Sequence, residues 1–262
     1  MIDELLQKQL RGRFNPDGSL LRQHQLRMLD MLRYIDAICR KHNIKYWLCS
    51  GTLIGAVRHG GFIPWDDDVD IEMLRDDYKK FVKVMREEPQ TDYVLQTHET
   101  DRGYFTPYGK LRDLHSYLLE DDEYDSYNYH GIYVDIFIME QSSSLFLSKI
   151  SASIQGRLLP LFVKKNTFSN FVYFIIYDIL FRFFRSVARL NYKGVLRHTF
   201  GTYFFKQRYK SDIFPLKTLF FEGTPFFVPG DYDSYLRKIY GDYMKLPEPD
   251  NIKLHVVDLK MF

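Results

Sequence analysis

The chain holds little of what would mark a secreted, membrane-spanning or nucleic-acid-binding protein. Two cysteines in 262 residues, Cys39 and Cys49, have no metal-type spacing, which excludes a disulfide framework and leaves two reduced, buried thiols as the expectation for a cytosolic protein. The opening MIDELLQKQLRGRF carries Asp3 and Glu4 and no long apolar block, so no secretory signal is expected. The longest aromatic and aliphatic stretch, FSNFVYFIIYDILFRFFRSVARLNYKGVLR, is broken by Asp178, Arg182 and Arg185. Each would cost about 2.5–3.5 kcal/mol at the centre of a bilayer, which argues against a spanning helix. A net charge of only +2 supplies neither a field for nucleic acid nor an acidic tail. Linkers and internal repeats are also missing.

What the chain has in excess is aromatic side chains: 20 Tyr and 22 Phe bring the aromatic share to 17%. The length suits one large α/β or α+β domain with appended helices. Three parts are expected: a core over 1–140, an aromatic and basic helical region over 141–211, and a C-terminal segment over 212–262 that packs on the core. In the first, Met28, Leu32, Ile35, Cys39 and His42 recur at helical spacing, predicting an amphipathic helix from Leu20 to His42. IKYWLCS predicts a strand ending at Ser50, after which SGTLIGAV turns at Gly51 into a helix whose first amides, Gly51 to Leu53, point outward. DVDIEM alternates with period two, so Asp68, Asp70 and Glu72 share one face and Val69, Ile71 and Met73 the other. A charged helix from Asp76, a strand at YVLQT, a strand-like YGKLRD and a strand at IYVDIFIM follow. In the second part Arg182, Arg185, Arg189, Lys193 and Arg197 recur three or four apart beside Phe and Ile, the pattern either of an interfacial helix or of a packed helix whose arginines reach solvent. The third holds a hairpin at EGTPFFVP, a helix at DYDSYLRKIY and a Gly- and Pro-punctuated loop.

The densest feature is GFIPWDDDVDIEM. Two unit charges about 4 Å apart repel by about 4 kcal/mol at an effective dielectric of 20, so carboxylates converging on one face call for a cation. Asp66, Asp68 and Asp70 share parity, and an all-oxygen ligand set points to Mg²⁺ or Mn²⁺ rather than zinc. A calcium loop counted from Asp66 fails at its sixth position, Ile71, and its twelfth, Asp77. A solvated acidic turn is the bland alternative, opposed by the core-type residues between the acids and by the rigid Pro64–Trp65 corner. The upstream Gly51–Thr52 turn offers helix-terminal amides suited to phosphate. Metal plus anion cradle together describe a site for a phosphate ester. Arg58 and His59, about a helical turn beyond, and Lys110 on the YGKLRD strand are candidates to contact that phosphate. Trp47, Trp65, Tyr124, Tyr127, Tyr129 and Tyr133, beside Asp121, Asp122, Glu123 and Asp125, are candidates for an aromatic cage around a cationic head group.

YWLCSGTLIGAVRHGGFIPWDDDVDIEM resembles the signature of the LicD family, whose relatives include the fukutin-related proteins. LRMLDMLRYIDAICRKHNI, GIYVDIFIM and YLRKIYGDYMKLP look like further segments of that family. The resemblance implies an α+β nucleotidyltransferase-like fold of the DNA polymerase β type, a mixed sheet with flanking helices, here with an inserted aromatic and basic helical region. It implies a substrate-binding turn at Ser50, Gly51 and Thr52, catalytic carboxylates at Asp68 and Asp70, and a third acid at Asp135, with Asp113 and the run EDDEYD as competitors for that place. Asp66, Asp68, Asp70 and Asp135 would then be metal ligands. It further implies transfer of a phospho-alcohol, phosphocholine foremost, from CDP-choline or another CDP-alcohol to a hydroxyl of a cell-surface glycan, with release of CMP. No nucleic-acid partner is expected; a lipid-linked acceptor and a peripheral place on the cytoplasmic membrane face are. A nucleotidyltransferase acting on another acceptor and a non-catalytic binding protein are the other classes. The segment RHGGFIPWDDD speaks against the first, and the presence of all four acids against the second.

Overall fold

A computed structural model of the chain describes all residues except 1, 90, 120–126, 143, 163, 165, 191, 248–257 and 262. Helix α1 (Glu4–Phe14) starts at Asp3, whose carboxylate accepts from the Leu5 and Leu6 amides. Helix α2 (Leu20–Lys41) is capped by Ser19 and turns Met28, Leu32, Ile35 and Cys39 inward, as the periodicity predicts. Strand β1 is only Trp47–Leu48, shorter than IKYWLCS suggests. At one end the Lys45 amide donates to Asp77 Oδ1 (2.9 Å) rather than to a strand; at the other, α3 (Ser50–Arg58) begins one residue before the expected turn.

Strand β2 (Asp70–Leu74) leads without a loop into α4 (Arg75–Glu87). Then come β3 (Tyr93–Gln96), β4 (Gly109–Asp113), β5 (Ser116–Leu119) and β6 (Tyr133–Gln141). The aromatic region forms α5 (Leu145–Phe162), α6 (Thr167–Phe174), a π-helical stretch Ile175–Leu180 and α7 (Phe181–Arg189). It is not helical throughout, because β7 (Val195–His198) and β8 (Arg208–Tyr209) join the main sheet. Helix α8 (Lys210–Ile213), the hairpin β9 (Lys217–Phe221) and β10 (Thr224–Val228), α9 (Tyr232–Tyr240) and β11 (Asp258–Met261) complete the described elements.

The result is an α+β fold with a mixed sheet flanked by helices. Its path runs β1-β2-β6-β4-β3, with β7 on β6 and β8 on β7; β2 and β6 are parallel and the other pairs antiparallel. Ile71, Met73, Val134 and Ile136 are fully buried with Phe81 and Met85 of α4 and Leu32 and Ile35 of α2. The alternate residues, Asp70, Glu72, Asp135 and Phe137, are thereby turned to the other face, where the chemistry-bearing side chains collect. Phe181, Ala188 and Phe200 form a separate small core in the aromatic region.

Candidate active site

The parallel register of β2 and β6 sets Asp70 opposite Asp135, and the antiparallel register of β4 and β6 sets Lys110 opposite the same Asp135. Lys110 Nζ lies 3.4 Å from Asp135 Oδ1 and 3.2 Å from the centre of the Tyr133 ring. Asp70 is held by its backbone: its amide donates to Thr52 Oγ1 (2.9 Å) and its carbonyl accepts from the Cys49 amide (3.2 Å). Ser50, with φ of +48°, turns the chain from strand into helix within one residue, and its hydroxyl near Asp70 works against the rise of that carboxyl's pKa. A non-glycine residue in that region is strained, and such strain gathers at functional sites.

Upstream, Ile63 to Asp66 close a turn through Asp66 N–H to Ile63 C=O (2.9 Å), with Pro64 in its favoured second position. Trp65 packs away from the acids, against Phe14 (5.3 Å) and His59 (6.1 Å). Gly51 lets the turn close: a Cβ there would lie 2.7 Å from Asp66 Oδ2. That oxygen is buried and takes no hydrogen bond among the described residues.

Asp66, Asp68, Asp70 and Asp135 line one cavity of about 450 Å³ together with Ser50 and Gly51. Asp67 is not among its lining residues. Burial, then the neighbouring Asp68 and Asp135, push the Asp70 carboxyl well above the usual carboxylate range; burial, then Asp68 and Asp67, do the same to Asp66. Crowded like charges, an unbonded buried carboxylate oxygen and an all-oxygen donor set fit a hard divalent cation. No three of these groups form a ready-made ligand cluster among the described residues.

Two expectations for the phosphate change. Arg58 and His59 do not line the cavity. Arg58 is buried and donates to the carbonyls of Tyr243 (2.6 Å) and Lys245 (3.2 Å) and to His59 Nε2, while His59 Nδ1 pairs with Gln7 Oε1 (2.6 Å). The Leu53 amide is bonded to the Cys49 carbonyl, leaving the helix start to Gly51 and Thr52.

The rings beside the acids are also not the expected ones. Trp47 is fully buried, Tyr127 sits in a cluster with Tyr104 and Phe105, and Tyr133 lies beneath Lys110 and Arg112. Asp121 to Asp125 lie outside the described residues. The rings that line the cavity are Tyr108, Phe137, Phe204 and Tyr240.

Sequence patterning gives no sign of what sits beneath the acids. Glu72 is fully buried and accepts from Trp47 Nε1 (2.8 Å), Tyr235 Oη (2.8 Å) and Arg208 Nε (3.1 Å), with His198 Nε2 at 3.0 Å. Burial alone would raise its pKa; Arg208, His198 and Tyr235 outweigh it and hold Glu72 at about 2. Burial and Arg208 lower His198 despite Glu72, keeping it neutral. His198 and Arg208 also line the cavity, with Lys206 between them and Phe204. Parity flags Glu72, but three of its partners, His198, Arg208 and Tyr235, lie 126, 136 and 163 residues away and leave no local signal.

Comparison with known proteins follows this geometry. The LicD/FKTN/FKRP nucleotidyltransferase domain matches residues 43–157, a span that contains every carboxylate of the cavity. The lipopolysaccharide cholinephosphotransferase LicD of Haemophilus influenzae is 31% identical over 256 residues, covering 90% of this chain and 95% of that protein. An uncharacterised protein of Rickettsia typhi is 41% identical over 71 residues, 27% of this chain and 23% of its own. The human ribitol 5-phosphate transferase FKRP is 44% identical over 45 residues, 17% of this chain and 9% of its own.

Proposed function

Because the chain belongs to the LicD family and is an enzyme of the phosphotransferase type, we propose that it moves phosphocholine from CDP-choline to a hydroxyl of a cell-surface glycan and releases CMP. The observation that carries this reading is the pairing of Asp70 with Asp135 in the lining of a cavity that also holds Ser50 and Gly51 at a helix start. Asp68 and Asp70, assisted by Asp66, hold a divalent cation, Mg²⁺ or Mn²⁺. Bound there, the ion supplies positive charge against the diphosphate and the departing CMP. The amides of Gly51 and Thr52 and the Ser50 hydroxyl receive phosphate oxygens. Lys206 and Arg208, on the far wall of the cavity, add positive charge.

In the transfer itself an oxygen of the acceptor attacks the phosphorus that carries the choline. The new P–O bond forms as the bond to the bridging oxygen of CMP breaks, and CMP leaves with that electron pair. Asp135 takes the acceptor's proton, and Lys110 steadies its carboxylate. Such base assistance supplies about 10²–10⁴-fold, with positioning and charge stabilisation supplying more.

Choline is favoured over ribitol, glycerol or ethanolamine by the walls of the cavity. Tyr108, Phe137, Phe204 and Tyr240 present four rings beside four carboxylates. Ring faces suit a quaternary ammonium, whose methyl groups neither donate nor accept hydrogen bonds, whereas a polyol draws little from them. The acceptor in this reading is lipid-linked and is met at the cytoplasmic membrane face; no described helix is long and apolar enough to cross a membrane. The test is incubation of purified protein and Mg²⁺ with CDP-choline, CDP-ethanolamine, CDP-ribitol and CDP-glycerol, following CMP. Release from CDP-choline foremost is expected; absence of CMP from all four with suitable glycan acceptors present and the fold intact would reject the reading.

A further inference from the structure

The helical region carries an exposed apolar stripe that the transferase site does not use. Phe168, Phe171, Phe174, Ile179, Phe183 and Val187 are between 39% and 63% exposed, and Leu190 continues the line at 81%. Opposite them Ser169, Tyr173, Tyr177, Phe181 and Ala188 turn inward, with Tyr173 stacked on Tyr177 (4.2 Å) and Tyr177 against Phe181 (5.0 Å). Successive stripe residues are three or four apart except between Phe174 and Ile179, which are five apart. In an α-helix five residues turn about 500°, placing Ile179 about 140° round from Phe174. The chain there is the π-helical stretch Ile175–Leu180, whose wider i→i+5 turn absorbs the extra residue. The stripe therefore runs straight across the insertion. Soluble monomers rarely expose a contiguous apolar surface of this size without a use for it.

Charge selects the occupant. Residues 142–193 hold eight Lys and Arg and a single acid, Asp178, although the whole chain is close to neutral. Lys164, Arg182, Arg189 and Lys193 are exposed. An apolar stripe bordered by cations matches an anionic lipid surface, with the helix lying in the interface. The same region reaches the catalytic cavity through the loop after β7: Phe200 packs with Phe181 and Phe184, while Phe204, half exposed, lines the cavity.

We propose that Phe168 to Leu190 is a membrane-docking surface for anionic lipid, with the stripe inserted among the acyl chains and the arginines at the headgroups. Docked in this way, the loop carrying Phe204 holds the catalytic cavity beside the bilayer, where a lipid-linked acceptor is presented. The acceptor clause rests on the transferase reading; the docking surface does not.

The experiment is co-sedimentation of the full chain with phosphatidylcholine vesicles with and without phosphatidylglycerol. Binding is expected with phosphatidylglycerol and is weakened by salt. Phe171→Ser/Phe183→Ser abolishes it, and Arg182→Gln/Arg189→Gln weakens it by about fivefold for each charge removed. CMP release from CDP-choline with a water-soluble glycan acceptor and no membrane present stays at the wild-type level in both variants, which separates failure of docking from failure of the chemistry. No binding to either vesicle would overturn the proposal. So would a concentration-dependent dimer, seen by sedimentation velocity and dissolved by the phenylalanine variant, because the stripe would then belong to a second copy.

Discussion

Asp70 faces Asp135 across two parallel strands, and both residues are more than nine-tenths buried. Lys110 offsets charge at Asp135, but burial beside Asp68 and Asp135 still works against an ionised Asp70, which is thus an investment in function rather than in stability. Asp70→Asn should therefore act in opposite directions on two measurements. CMP release is expected to fall by at least about 10³-fold, as for loss of a principal electrostatic group. In metal-free buffer the melting temperature is expected to rise, by roughly 2–4 °C for each kcal/mol of repulsion relieved. A variant that keeps full turnover would remove Asp70 from the site.

Glu72 is the reverse case. Removing it strands Arg208 in the interior and leaves Trp47 and Tyr235 without their acceptor. Glu72→Ala should cost about 3–5 kcal/mol in urea unfolding, the usual penalty for breaking a buried ion pair from one side. A loss below about 1 kcal/mol would mean that water replaces the carboxylate.

Gly51→Ala probes the closeness of the turn to the acids. Its methyl would push on the Asp66 carboxylate, which can swing aside, so the fold is expected to survive with a change below about 1 kcal/mol. The Mg²⁺ concentration for half-maximal activity should rise severalfold. An unchanged requirement would mean that Asp66 takes no part in holding the ion.

His59 gives the pH prediction. Burial, then Arg58, hold its pKa at about 3 in the folded chain, against about 6.5 unfolded. As pH falls through about 6.5 the unfolded chain takes up a proton that the folded chain refuses until about 3. Stability from this residue is thus complete above about pH 6.5 and declines below it by up to about 1.4 kcal/mol per unit. The stability of wild type relative to His59→Gln, from urea midpoints, should accordingly fall between about pH 7 and pH 4.5. A pH-independent difference would show that His59 charges freely in the fold.

How much of this was legible in the sequence depended on distance along the chain. Helix α2 and strands β2 and β6 follow from side-chain period alone, because burial on one face writes itself into neighbouring residues. The short β1 does not, since it is the Asp77 side chain, 32 residues on from Lys45, that takes the amide a longer strand would have used. Arg58 and His59 looked like phosphate ligands by position, yet Arg58 is drawn to carbonyls 185 and 187 residues later. The strands Val195–His198 and Arg208–Tyr209 were hidden in a region whose composition signals helix. Glu72 announced its face but not its four partners.

The grip of Arg58 on Tyr243 and Lys245 has a counterpart at the other end of the same helix, where Ser50 shares the cavity wall with Tyr240. Helix α3 thus meets one short C-terminal stretch, 240–245, at both ends and is bonded to it at Arg58, and that stretch lies outside the 43–157 segment matching the family domain. Chimeras between relatives should respect that joint. A graft of 43–157 alone brings in a foreign Ser50 and Arg58 without the tyrosine and carbonyls that meet them, whereas exchanging 240–245 along with it keeps the helix and its partner stretch from one parent.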